Sequence, residues 1–113
     1  MKLRKFLKSK IHGLIVTKTN LDYEGSISLP PSIMKEGDIK EYEFVMVINK
    51  TNGKRFETYA IKGEEGEVAL YGGAARLGYV GDEIFVFSYI FSEKEIKPKI
   101  IFVDKNNKIR NIR

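Results

Sequence analysis

The sequence is constrained most by a repeated alternation of apolar and polar residues, rich in β-branched and aromatic side chains. Alternate side chains of a strand face opposite sides of a sheet, so this period of two is typical of strands with one buried face. Five segments show the pattern: Ile11–Thr17, Tyr42–Asn49, Lys54–Ile61, Glu83–Tyr89 and Lys99–Val103. The chain is therefore predicted to be mostly β, and a closed or nearly closed barrel would leave few exposed sheet edges.

The segments between these strands predict tight connections. Asn52-Gly53 separates two of the strands, and both residue types tolerate positive φ, which favours a tight hairpin. Three short helices are also predicted. The first is opened by prolines, the second is a single turn of small residues, and the third is capped by a serine. These helices are predicted at Pro30–Glu36, stopped by Gly37, at Gly73–Leu77, and after Ser92.

Length and composition limit the classes of function. The chain has 113 residues, which suits a single domain spanning 1–113. It has no Cys and one His, His12, so thiolate chemistry is excluded and a Ser-His-Asp triad or a zinc site would have one imidazole at most. The basic N-terminus is followed by no signal-like apolar stretch, and no segment reaches the length of a membrane span. We therefore expect a cytoplasmic protein that does not enter membranes.

One dipeptide can carry chemistry without a metal or a thiol. In Asn20–Ser28, Gly25 supplies an unhindered carbonyl and Ser26 a hydroxyl one peptide bond away. Because Gly has no Cβ, it can adopt backbone angles that bring the two groups together. The same dipeptide also fits a plain turn.

Four segments together resemble the pyruvoyl-dependent L-aspartate α-decarboxylase family. Their order and spacing match that family along nearly the whole chain: Lys10–His12, Leu21–Ser26, Thr51–Ala60, and Gly73–Arg76 followed by Val80–Asp82. The resemblance implies a double-ψ β-barrel that assembles into a homotetramer. It also implies self-cleavage between Gly25 and Ser26 into chains 1–25 and 26–113, with or without a maturation helper.

The resemblance further implies the cofactor and the reaction. Ser26 would become a pyruvoyl group that forms a Schiff base with L-aspartate, without a metal or pyridoxal phosphate. The products would be β-alanine and CO2, in the pathway to pantothenate and coenzyme A. An ordinary side chain offers no sink for the electrons that decarboxylation leaves behind, which is why such chemistry needs an electrophilic group.

Individual roles also follow from the resemblance. Thr58 would donate a hydrogen bond near the Gly25 carbonyl during cleavage, and Tyr59 would return a proton to the substrate. Because neighbours on a strand face opposite sides, Thr58 and Tyr59 can share one pocket only if the strand is distorted or the pocket wraps its edge. Each could instead be a plain strand residue.

Substrate binding is expected to use cations and a small-residue turn. Arg55 and Lys10 would bind the two carboxylates, and we infer that Arg55 holds the side-chain carboxylate, because stabilising the departing one would raise the barrier. By resemblance Gly73, Ala74 and Ala75 line the site with backbone N–H groups. His12 and Tyr23 match family positions near the site, though either could be structural. Gly72 departs from the family pattern, which usually has Asn there.

Two other functions are compatible with the sequence. The first is a basic barrel that binds single-stranded nucleic acid, because the net charge is +5 and Lys54, Arg55, Phe56 and Tyr59 could form an aromatic and cationic platform. The second is the same pyruvoyl chemistry on another amino acid such as glutamate, motivated by Gly72. One extra methylene would shift the second carboxylate away from its cation.

Overall fold

The computed structural model describes residues 1–113, which form nine strands, one α-helix and one 3-10 turn. The helix α1 begins at Pro31, whose ring suits a first helical position, and ends at Glu36, after which the Gly37 N–H donates to the Ile33 carbonyl at 2.9 Å. In chain order the elements are β1 Arg4–Ile15, β2 Lys18–Asn20, β3 Ser26–Leu29, α1 Pro31–Glu36, β4 Phe44–Asn49, β5 Arg55–Lys62, β6 Ala69–Tyr71, the Gly72–Arg76 turn, β7 Glu83–Ser92, β8 Lys99–Val103 and β9 Ile109–Ile112.

All nine strands belong to one sheet in the order β2-β6-β3-β5-β4-β7-β1-β8-β9. The pairs β2/β6, β3/β5 and β1/β8 are parallel, and the remaining pairs are antiparallel. Parallel neighbours need crossover connections, so strands distant in sequence lie side by side. Strand β3 consequently lies between β6 and β5, which come later in the chain.

A single cluster of 18 buried apolar residues forms the core. It includes Leu70 from β6 near one end of the strand order and Ile101 from β8 near the other. Strands so far apart can share one core only if the sheet curls around it, as in a barrel. Truncating a fully buried member such as Leu70 to Ala should cost about 2–5 kcal/mol. The prediction of a mostly β, barrel-like fold with short helices is confirmed, while the double-ψ crossing stays a prediction.

All five predicted strands are present, and four of them have shifted ends, the first most of all. The predicted strand Ile11–Thr17 ends at Ile15 and begins seven residues earlier, at Arg4. The early part of β1 carries three basic residues and lacks a continuous apolar face, so pairing with β7, rather than a hydrophobic pattern, extends the strand. No helix is both long enough and apolar enough to cross a membrane.

The helix predicted after Ser92 is wrong. The Ser92 hydroxyl accepts a hydrogen bond from the Lys94 N–H at 3.0 Å, which closes a local turn instead of capping a helix. Serine offers this alternative to the backbone whenever no apolar face favours a helix. The other two predicted helices correspond to α1 and to the Gly72–Arg76 turn.

The predicted hairpin joins β4 to β5, but its loop is longer than two residues. Gly53 has φ +78°, whereas Asn52 does not reach positive φ, and five residues separate the strands. The fully buried Asn49 organises this loop: its Oδ1 accepts from the Thr51 and Asn52 N–H groups at 2.9 and 3.2 Å. Its Nδ2 donates to Asp82 Oδ2 at 2.9 Å, so the hairpin is tied to the loop that follows the Gly72–Arg76 turn.

Candidate active site

Ser26 is the first residue of β3 and is 1% exposed, whereas Gly25 just before it is exposed. Strand pairing fixes Ser26 opposite Tyr71 of β6, and Ile27 opposite both Leu70 of β6 and Ala60 of β5. The Gly25-Ser26 bond therefore lies where the chain leaves an exposed turn and enters the middle of the sheet. Such a bond has one rigid side and one side that can adopt a special backbone geometry.

Ser26 lines a cleft of about 230 Å³, which we call the Ser26 cleft. Of the predicted site residues, Tyr23 and Tyr59 share it with Ser26. The other lining residues are Glu24, Glu41, Tyr42, Ile61 and Lys62. Glu41 and Lys62 were not among the predicted site residues. The Lys62 N–H donates to Glu41 Oε2 at 3.2 Å, which joins a loop residue to the end of β5. Such a contact between residues far apart in the chain has no local sequence signal.

Thr58 and Tyr59 face opposite sides of β5. Their partners on β4 are Val45 and Phe44, and the β4/β5 register contains no bulge. Tyr59 lines the Ser26 cleft, and Thr58 is not among the lining residues. The parallel β3/β5 pairing begins at Ile27 and Ala60, so Thr58 precedes the first pair on β5 by two residues, as Gly25 does on β3. Because Thr58 and Tyr59 point to opposite faces of β5, only Tyr59 shares the Ser26 cleft.

The Gly72–Arg76 turn packs against the residues just before Ser26. Gly72 is buried with φ +64°, and a Cβ built on it would lie 2.6 Å from the Gly25 Cα. Tyr23 completes the contact, because its ring centroid is 4.7 Å from that of Tyr71. We call Gly25, Ser26 and the Gly72–Arg76 turn the cleavage end. Of the other predicted turn residues, Ala74 is buried in the core, Ala75 is half-buried and Gly73 is exposed.

Lys10, His12 and Arg55 lie on a different part of the sheet, which we call the cation face. Arg55 pairs with Ile48, Ile48 with Phe85, and Phe85 with His12, so Arg55 and His12 project from the same outer face. Lys10 is two residues from His12 on β1 and faces the same way. Its Nζ lies 5.3 Å from the Phe87 ring centroid and 5.4 Å from that of Phe85.

Within one chain the cation face is separated from Ser26. Arg55 is four residues from Tyr59 on β5, a span of roughly 13 Å at the usual rise per strand residue. Lys10 lies on β1, and strands β5, β4 and β7 stand between β1 and β3 in the sheet order. The structure therefore brings Tyr23 and Tyr59 to Ser26 but leaves Lys10, His12 and Arg55 apart from it.

His12 is stacked between aromatic rings, with centroid distances of 4.6 Å to Phe85 and 5.1 Å to Phe102. Burial lowers the pKa of His12 below its usual 6.5, and the charge of Lys10 lowers it further. Both causes disfavour the imidazolium, so the ring is held neutral near pH 7. A neutral His12 adds no positive charge to the cation face.

No group of three or more His, Asp or Glu side chains is arranged to hold a metal ion. Phe56 packs against the core, on the opposite side of β5 from Arg55 and Tyr59. These side chains therefore do not form the continuous aromatic and cationic platform considered for single-stranded nucleic acid, which contacts bases through exposed rings.

Comparison with known proteins gives a consistent result. A family model described as aspartate decarboxylase matches residues 1–110. The aspartate 1-decarboxylase of Acetivibrio thermocellus is 51% identical over 113 residues, which cover 95% of this chain and 90% of that protein. The aspartate 1-decarboxylase of Kosmotoga olearia is 53% identical over 104 residues, covering 88% of this chain and 90% of the relative. That of Campylobacter jejuni is 53% identical over 106 residues, covering 89% and 84%.

Proposed function

The chain belongs to the aspartate decarboxylase family, and on that premise we propose that it converts L-aspartate to β-alanine and CO2. The observation that carries this proposal is about 50% identity to proteins named aspartate 1-decarboxylase over nearly the whole chain. The proposal includes self-cleavage between Gly25 and Ser26 into chains 1–25 and 26–113. It also includes a cytoplasmic location and a role in supplying β-alanine for pantothenate and coenzyme A.

The residues at the cleavage end fit a pyruvoyl group made from Ser26. Ser26 is buried at a strand start yet lines an open cleft, and Gly72 leaves free the space beside Gly25 that a Cβ would fill. A pyruvoyl ketone supplies an electrophile that binds a primary amine and accepts the electron pair left when CO2 departs. In this proposal β3 would hold that group, because its neighbours β5 and β6 fix residues 26–28.

Cleavage would be performed by the chain's own groups. The Ser26 hydroxyl attacks the Gly25 carbonyl carbon, and the peptide C–N bond breaks to give an ester. Elimination then releases the Gly25 carboxylate, and water replaces the nitrogen of residue 26 as ammonia. A hydroxyl is a weak nucleophile near neutral pH, so positioning and stabilisation of the developing oxyanion must supply most of the rate. Thr58 is proposed as that donor, because the β3/β5 register, extended two residues before its first pair, would bring it next to Gly25.

Tyr59 is proposed to return the proton to the substrate carbon after CO2 departs. Its side chain is half-buried and lines the Ser26 cleft, within reach of a substrate bound at residue 26. A phenol that is partly shielded from water is a suitable acid for such a step. The opposite orientation of Thr58 supports a division of labour, in which Thr58 serves cleavage and Tyr59 serves turnover.

Two carboxylates of aspartate require cations, and one chain offers few at the cleft. Lys62 is the only cation that lines it, alongside Glu24 and Glu41, whose charges oppose an anion. We propose a homotetramer in which a second copy brings its cation face to the cleft; the shortage of cations at the cleft of one chain supports the need for a second copy. Exposed aromatic side chains beside the cleft and on the outer face, Tyr42 and Phe44, are 71% and 64% exposed and would be covered by such assembly.

Arg55 is proposed to bind the side-chain carboxylate of the substrate and Lys10 to contribute a second charge. One such pair at about 4 Å and an effective dielectric near 20 is worth on the order of 4 kcal/mol before desolvation. That energy is best directed at the carboxylate that is retained, because stabilising the departing one favours the ground state. The backbone N–H groups of Gly73, Ala74 and Ala75 complete the proposed site, with His12 and Tyr23 at its periphery.

The central test combines intact mass with product analysis. Purified protein should contain fragments of residues 1–25 and 26–113, and a carbonyl-trapping reagent should add mass to the larger one. Incubation with aspartate should release CO2 and β-alanine, whereas glutamate should react far more slowly. An unbroken chain without a reactive carbonyl, or faster turnover of glutamate, would contradict the proposal. Slower cutting of the purified chain than of chain in the cell would place a helper protein in maturation.

A further inference from the structure

Gly72 makes an unusually close approach to the residues that precede the cleavage bond. A Cβ built on it would lie 2.6 Å from the Gly25 Cα, 2.7 Å from the Gly25 N and 2.9 Å from the Tyr23 O. All three atoms belong to the turn that leads into Ser26. Contacts under 3.0 Å are essentially never made by a real Cβ, and backbone atoms cannot rotate away as the end of a flexible side chain can.

There is no room for a Cβ at residue 72, whereas residue 25 could carry one. A Cβ built on Gly25 would meet a single atom, the Tyr71 O, at an ordinary 3.9 Å. The cleavage turn therefore owes its tight packing to residue 72.

Sheet pairing determines what has to move if residue 72 grows. Ser26 is paired with Tyr71, and the next pairs, Ile27 with Leu70 and Ser28 with Ala69, hold β3 and β6 together. Gly25 and Gly72 are the first residues beyond this ladder on its two strands. A side chain on residue 72 would push Gly25 while Ser26 stays held, and would change the geometry between the Gly25 carbonyl and the Ser26 hydroxyl.

We propose that Gly72 is a positioning residue for self-cleavage, which holds the Gly25 carbonyl in line with the Ser26 hydroxyl through direct backbone packing. This inference rests on the proposed cleavage and goes beyond it by naming what sets its rate. Widening the 2.6 Å contact to the 3.4 Å of an ordinary contact moves Gly25 by about 0.8 Å. A misplacement of about 1 Å costs on the order of 100-fold in reactions that depend on positioning.

The test compares Gly72→Ala with Gly53→Ala. Both glycines have positive φ, +64° and +78°, so both substitutions strain the backbone, but a Cβ on Gly53 would meet nothing within 4 Å. Freshly synthesised chains are sampled over time, and the cut fraction is measured by intact mass, with circular dichroism as a check of folding. We expect Gly72→Ala to be cut roughly 100-fold more slowly than the unaltered chain and Gly53→Ala at an unchanged rate. Equal rates for the two variants, or faster cutting of Gly72→Ala, would overturn the proposal.

A second measurement does not require cleavage. In a Ser26→Ala background, the Gly25 amide resonance in a ¹H–¹⁵N NMR spectrum should shift on adding Gly72→Ala, because Gly25 is displaced, and stay unchanged on adding Gly53→Ala. No difference between the two double variants would overturn the role of Gly72 even if Gly72→Ala alone fails to fold. If the unaltered chain is never cut, the proposed function fails, while this NMR comparison still decides whether Gly72 positions the turn.

Discussion

The cleavage end and the cation face are built in opposite ways. At the cleavage end, small residues let backbone pack directly on backbone, and Ser26 is almost fully buried. On the cation face, Lys10 and Arg55 project long side chains from the outer surface of regular strands. The difference fits the roles proposed for the two regions, because making a reactive group would require fixed main-chain atoms, whereas binding a charged substrate would require long side chains. Substitutions can therefore be sorted by whether they alter cutting, turnover or both.

Tyr59→Phe should cause the largest loss of turnover without a change in the rate of cutting. If Tyr59 supplies the proton, its loss should lower kcat about 100- to 10,000-fold, the usual contribution of a positioned acid, and leave cutting at residue 26 intact. Cutting is followed by intact mass and kcat by CO2 release. Tyr79→Phe is the matched control, because Tyr79 is 79% exposed and does not line the Ser26 cleft. Normal turnover by Tyr59→Phe would remove this residue from the mechanism.

Arg55→Lys should have the next largest effect, and it should slow turnover without changing the rate of cutting. Lysine keeps the charge but loses the two-pronged hydrogen bonding of the guanidinium, so we expect kcat/KM for aspartate to drop about 10- to 100-fold. Arg4→Lys, at the exposed start of β1, serves as the control. If Arg55→Lys slows cutting as much as turnover, the two regions are not independent and the binding role is wrong.

Asn49→Ala should disturb both regions moderately through stability. Its side chain joins the hairpin that carries Arg55 to the loop after the Gly72–Arg76 turn, with hydrogen bonds to Asp82 at 2.9 Å and to the Leu77 O at 3.1 Å. Removing it leaves buried partners unpaired, so the free energy of unfolding should fall by about 1–3 kcal/mol. Urea unfolding measures this change, with the exposed Asn106→Ala expected to stay within about 0.5 kcal/mol. Equal values for the two variants would contradict the assigned role of Asn49.

The smallest effect is a pH dependence that originates on the cation face. The pKa of His12 is lowered from 6.5 by burial and by Lys10, so the unfolded chain binds the proton more tightly than the folded one. His12 therefore costs no stability above pH 6.5, and stability falls as the pH drops below that value. His12→Gln should flatten the unfolding free energy over this range, measured by urea titration at several pH values. An unchanged slope would mean that other groups govern it.

The sequence predicted the longer strands that have one buried face, but not the short and largely exposed β2 and β9. Segments around Val45, Val86 and Ile101 alternate between buried and partly exposed positions, and the structure confirms them as β4, β7 and β8. Strands β3 and β6 were missed because every residue in Ser26–Leu29 and in Ala69–Tyr71 is buried, which removes the alternation. Burial on both faces follows from the crossover topology and has no local signal.

The site was predictable to the extent that its residues are close in sequence or share a motif. Ser26, Tyr23 and Tyr59 meet in one cleft, whereas Thr58 does not line it. The separation of Arg55 from Ser26 could not be foreseen, because the pairing of β3 with β5 depends on which strands cross over. The steric reason for Gly72 was equally hidden, since it depends on a contact between residues far apart in the chain.

The position of β1 has a consequence for the order of events in the life of the molecule. This strand lies between β7 and β8 and contributes Ile11 and Leu14 to the core, so residues 1–25 would remain packed in the sheet if the proposed cut occurs. Folding of the uncut chain is a unimolecular process. An unfolded molecule of the cut form would have to find a separate partner chain, and its refolding would be second order and sensitive to dilution. The barrel would thus have to fold completely before the bond is broken, because refolding after the cut would be much less efficient.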